Sequence, residues 1–135
     1  MTGPVLGWDA PEFGCAACIP TGPSPARVLG LEFVAELIDE SHFGLSVRRC
    51  PACGQAFVWV FTEQVDWVNG EDPQCSTVMP LEREEAERLI RAGAQVDLAA
   101  LDALGRARTF LRDDYPSSGV RRCEYTRGPL IGRHD

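Results

Sequence analysis

Apolar side chains at Val28, Leu31, Val34, Ala35 and Ile38 alternate with acids at Glu32, Glu36, Asp39 and Glu40. That spacing follows the period of an amphipathic helix and predicts one over residues 27–40, opened by Ser24-Pro25 and closed by Ser41-His42-Phe43-Gly44. Residues 45–49 read as a short strand. Residues 55–61 read as the strongest strand of the chain, with Phe57, Trp59 and Phe61 on one face and Val58 and Val60 on the other. Apolar residues on both faces predict a central strand covered from two sides. Residues 65–68 extend the sheet up to the Asn69-Gly70 turn signal.

Past Pro80 the period returns to that of a helix. Residues 82–91 hold Ala86, Leu89 and Ile90 in register, with acids in the first turn and Gly93 as a stop. Asp97 is a good N-cap for a third helix that carries Leu98, Leu101, Leu104 and Leu111 and ends before Pro116. Residues 119–126 read as a last strand added at the sheet edge. These elements predict an α+β fold: a small antiparallel sheet with about three helices, in a single domain spanning 1–135. Residues 1–14 form an irregular N-terminal arm anchored by Trp8 and Phe13, and 127–135 form a C-terminal tail.

Composition narrows the function. With 44% hydrophobic and 24% charged residues, 135 positions suffice for one domain with a core. No apolar run approaches the roughly 20 residues of a membrane helix. The N-terminus has neither a basic start nor an apolar stretch, so a cytoplasmic location is expected. All thirteen basic residues are arginine, a bias that fits a GC-rich bacterial genome and excludes lysine amine chemistry. A net charge of −7 argues against non-specific binding to nucleic acid or anionic membranes. The charge is uneven: residues 63–72 hold four acids and no base, whereas Arg121, Arg122, Arg127 and Arg133 cluster near the end.

The cysteines carry the chemistry. Cys15/Cys18 and Cys50/Cys53 are two Cys-x-x-Cys pairs, and such a turn presents two thiolates to one ion. In the second pair Pro51 stiffens the turn and Gly54 lets the chain leave it. The first pair, Cys15-Ala16-Ala17-Cys18, has the spacing without that Pro and Gly. The expected reading is one structural Zn²⁺ held by Cys15, Cys18, Cys50 and Cys53, with the predicted helix inserted between the knuckles. A redox pair, a six-cysteine disulfide framework, and a mixed site using His42 or His134 are the alternatives. Cys75, placed in a turn beside Pro73, and Cys123, on the last strand, read as small apolar residues.

Cys50-Pro51-Ala52-Cys53-Gly54, the aromatic strand after it, the Val68-Asn69-Gly70-Glu71-Asp72 turn and the Glu-rich helix at 82–91 together resemble small, uncharacterised bacterial zinc-ribbon-like proteins. The resemblance covers about residues 45–92 and implies a metal-binding fold. The function expected is a non-catalytic, zinc-stabilised module that binds another protein, as an adaptor, an assembly subunit or an immunity-type inhibitor. Trp8, Phe57, Trp59, Phe61 and Trp67 are its candidate contact residues. A second reading is a nucleic-acid-associated zinc ribbon using Arg48, Arg49, Arg121, Arg122 and Arg127. A third is a thiol-redox protein or zinc enzyme, which needs an open metal position or a reactive Cys75 or Cys123.

Overall fold

Residues 56–63 of the computed structural model form the strand that the aromatic alternation predicts, and it lies inside a six-stranded sheet. The structure describes residues 13–63, 73–115 and 120–131. Its strands are β1 (Glu32–Glu40), β2 (Phe43–Arg49), β3 (Ala56–Glu63), β4 (Gln74–Leu81), β5 (Phe110–Tyr115) and β6 (Arg122–Thr126). They pair in sequence order, each antiparallel to the next. The connection from β4 to β5 carries α1 (Arg83–Ala92) and α2 (Leu98–Ala107), which pack on one face of the sheet. Among the described residues no helix is long and apolar enough to cross a membrane.

The described residues are therefore mostly β with two α-helices, which corrects the expected α+β fold of about three helices. The largest departure is at 27–40, where only a single 3₁₀ turn, Ala26–Val28, precedes a nine-residue strand. The ladder between β1 and β2 slips twice, between Phe33 and Ala35 and between Glu36 and Ile38. Each slip inserts a residue and moves the apolar side chains off a period of two. Ala35, Leu37 and Ile38 all reach the helix-side core as a result. Two bulges in one strand thus reproduce the apolar spacing of a helix.

A second departure follows α2. Asp97 caps that helix as expected, its Oδ1 accepting the Ala100 N–H at 3.2 Å. The helix ends at Ala107, because Arg108 already has extended backbone (φ −138°, ψ 138°). Leu111 consequently sits on β5, buried on the face opposite the helices. Cys75 is a buried residue of β4 rather than part of a turn. Pro80 also lies on β4, past the last β4–β5 pair at Val78 and Leu111, where one side of the strand has no neighbour and proline is tolerated. The helix after Pro80 and the final strand form as expected, with Gly93 (φ +55°) closing α1 and β6 at the sheet edge. The expected strand at 65–68 and its Asn69-Gly70 turn lie outside the described residues.

Each face of β3 contributes to a separate core. Val58 and Val60 join Leu45, Val47, Met79 and Leu81 beneath Ala86 and Leu101 of the helices. Phe57 joins Val78, Leu111, Cys18 and Cys50 on the other side. The first core also holds Leu130, which falls within the expected tail yet is fully buried; the Thr77 hydroxyl donates to its carbonyl at 2.8 Å. Gly105 of α2 makes room for this segment. A Cβ there would lie 2.4 Å from the Gly128 carbonyl oxygen, and the Gly128 N–H donates to the Gly105 carbonyl at 2.9 Å. Gly105→Ala is expected to destabilise by about 1–3 kcal/mol. That is the reverse of the roughly 1 kcal/mol gain alanine gives in an open helix, and urea unfolding of the variant checks the sign.

Candidate metal centre

The β2–β3 connection and the chain before β1 each form a tight turn at the same end of the sheet. In the first, the Gly54 N–H donates to the Cys50 carbonyl at 2.8 Å and the Cys50 N–H to the Gln55 carbonyl at 2.9 Å. Gly54 has φ +83°, the left-handed conformation expected of the residue that ends a knuckle. In the second, the Cys15 carbonyl accepts from Cys18 at 3.2 Å and Ile19 at 2.8 Å. Its glycine comes before the pair instead of after it. Gly14 has φ +68°, and a Cβ there would lie 2.6 Å from the Ile19 side chain and 2.7 Å from the Cys18 sulfur.

The two turns bring four sulfurs together. Cys15 and Cys18 Sγ are 3.9 Å apart, Cys15 and Cys50 3.8 Å, and Cys18 and Cys53 3.8 Å. All four lie within 4.8 Å of one another. A tetrahedral ion with metal–sulfur bonds of about 2.3 Å sets its sulfurs about 3.8 Å apart, so the group matches a four-thiolate shell. Cys18 and Cys50 are buried, Cys15 is partly covered and Cys53 is exposed. The protein environment sets the thiols apart: the Cys18 and Ala17 amides pull Cys15 down to about 7, whereas burial pushes Cys18 well up. A bound cation favours the thiolate at every one of these positions.

Gln55 couples the two turns. Its Oε1 accepts the Gly14 N–H at 3.0 Å, and its Nε2 donates to the carbonyls of Ala56 at 2.8 Å and Leu81 at 2.7 Å. One side chain thereby ties the first knuckle to the start of β3 and the end of β4. Tyr125 secures the chain leaving that knuckle, its hydroxyl donating to the Pro20 carbonyl at 2.6 Å. Neither Gly14 nor Gln55 stood out in the sequence, although each is adjacent to a knuckle. Gln55→Ala is expected to lower the metal affinity of the cluster about 10–100-fold with all four cysteines intact. Competition against a chromogenic chelator measures this, with circular dichroism confirming the fold.

The other candidates lie elsewhere. His42 is in the β1–β2 turn, at the opposite end of β2, with Nδ1 3.3 Å from Glu63 Oε1. His134, Trp8 and Trp67 lie outside the described residues. Cys75 and Cys123 stand apart from the cluster; burial pushes the Cys75 thiol up and raises Cys123 to about 11, so both are poor nucleophiles. Phe57 is a core residue, while Trp59 and Phe61 are half-buried. Arg48 stacks on Trp59, 4.4 Å from the ring centre, and Arg121 shares the pocket beside Trp59. Asp113 holds Arg121 through two bonds at 2.9 and 2.8 Å, Glu32 pairs with Arg49, and Thr109 accepts from Arg127. Arg49, Arg121 and Arg127 are thus engaged within the protein, and Arg48 and Arg121 flank the same ring.

No protein-family model, no curated protein and no solved structure matches this chain.

Proposed function

We propose that the chain is a non-catalytic module whose fold is held by one Zn²⁺ in a four-thiolate shell and which serves by binding another protein. The observation that carries the metal is the clustering of the four sulfurs, all within 4.8 Å of one another and three of their distances at 3.8–3.9 Å, close to the edge length of a zinc–thiolate tetrahedron. Four protein ligands leave the ion no open position, and this favours a structural over a catalytic role. The Cys50–Gly54 knuckle supports, within the same reading, kinship with bacterial zinc-ribbon-like proteins. The binding role is supported by large apolar side chains at the surface, among them Phe33, Val34 and Ile90.

Two measurements test this reading. Zinc-loaded protein treated with a maleimide should keep Cys15 and Cys53 unlabelled, and chelation should make them react within minutes. Rapid labelling of the loaded protein contradicts a closed shell. Affinity capture on loaded protein should return a saturable partner that rebinds when both are purified, and its loss on chelation ties binding to the metal-held fold. A loaded protein that retains no such partner contradicts the binding role.

A further inference from the structure

We propose that the outer edge of β1 is the docking strand of this module, and that its partner is a basic, extended segment that adds to the sheet as a seventh strand. The proposal rests on the protein-binding reading and assigns its surface. β1 ends the strand order and is the longest strand, at nine residues. An edge strand presents N–H and C=O groups outward. Among the described residues, no backbone bond outside the β1–β2 ladder reaches residues 32–40.

Both faces beside this edge offer apolar contact. Val34, 44% exposed, borders a groove of about 630 Å³ with an apolar floor of Val47, Leu81, Ala86 and Ile90 and with Arg49, Arg83 and Glu87 at its lining, so the side chains that enter it are the apolar ones. Phe33, 55% exposed, lies on the opposite face with the Arg48 guanidinium 5.5 Å from its ring centre. A strand laid along β1 sends alternate side chains to the two faces. One set enters the groove and the other passes Phe33.

Charge selects the occupant. β1 carries Glu32, Glu36, Asp39 and Glu40 and no basic residue. Among the described residues Arg49 pairs with Glu32 at 3.1 Å and Arg48 acts electrostatically on Glu36, while Asp39 and Glu40 have no basic partner. A second copy of β1 would set acid against acid across the new ladder, and like charges directly opposite are destabilising. A segment alternating arginine or lysine with β-branched residues satisfies the edge, the groove and the acids together.

The probe is a ten-residue peptide alternating Arg and Val, added to zinc-loaded full-length protein whose amide exchange is followed by NMR. The expected result is saturable binding with slowed exchange confined to residues 32–40. The same peptide N-methylated at alternate residues keeps the charge but loses the ladder, and should not bind. The double variant Glu36→Lys, Asp39→Lys should bind the unmodified peptide about tenfold more weakly. Equal binding of the N-methylated peptide, protection elsewhere in the sheet, or pairing of the protein with itself through β1 each overturns the proposal. Zinc content is measured on the same samples. Loaded protein whose captured partner is indifferent to the double variant overturns this surface and leaves the zinc-module reading standing.

Discussion

Replacing Cys50 by serine should abolish metal binding and lower the melting temperature by well over 10 °C. Cys50 is 2% exposed and packs with Cys18, Phe57, Val78 and Leu111, so its turn belongs both to the four-cysteine cluster and to the second core. Structural zinc contributes on the order of 10–16 kcal/mol of apparent binding free energy in small zinc-finger peptides. A whole domain has only about 5–15 kcal/mol of net stability. Even a fraction of the zinc contribution is decisive on that scale. The core beneath the helices contains no ligand, so the variant is expected to keep some sheet structure. The exposed Cys53 provides a graded comparison: Cys53→Ser should retain weakened three-sulfur binding and an intermediate melting temperature. A chelator should bring the wild-type protein down to the level of the Cys50 variant and leave that variant unchanged. Equal melting of wild type and variant, with or without chelator, contradicts this account.

Glu85→Ala should destabilise by about 3–5 kcal/mol, because it leaves a largely buried guanidinium without its counter-charge. Glu85 and Arg108 form a two-bond pair at 2.8 and 3.1 Å, with side chains 11% and 15% exposed. Arg108 also donates to the Pro80 carbonyl at 2.9 Å and lies 5.0 Å from the centre of the Phe13 ring, just before the first knuckle. Glu85 Oε1 further accepts the Glu82 N–H at the start of α1. Truncating Glu85 therefore loosens a helix start, a strand end and the approach to the metal turn at once.

The pH dependence of this pair has a definite sign. Burial raises the Glu85 pKa, but the bonds from Arg108 and the Glu82 amide outweigh it and hold the carboxyl below its ordinary 4.5. A carboxyl depressed in the folded state stabilises the fold above its unfolded value, and that contribution fades as pH falls through the lower folded value. The stability gap between wild type and Glu85→Ala should be flat from about pH 6 to 8 and should narrow below about 4.5. Any acid-induced change at the cysteine cluster is common to both proteins, so the gap isolates Glu85. Urea unfolding at several pH values measures it, and a gap that widens on acidification contradicts the assignment.

The four-cysteine cluster was legible because its signal is chemical and local: two sulfurs three residues apart, twice. The long gap between the pairs was legible only as an insertion. Its conformation was not, because bulges at Val34 and Leu37 disguise a strand as a helix. The central strand was legible from Phe57 to Phe61, where apolar residues occupy both faces without interruption. The end of α2 was hidden, since neither glycine nor proline marks Ala107 and the break rests on where Arg108 and Leu111 find partners. Gly14 and Gln55 show the same limit, because one answers a close approach within a turn and the other bridges segments 41 residues apart.

The most direct test of the metal centre is X-ray absorption at the zinc edge on protein purified under reducing conditions. The account predicts one zinc per chain with four sulfur neighbours at about 2.3 Å and no nitrogen or oxygen in the shell. A shell containing lighter ligands, or protein that folds fully without zinc, contradicts it.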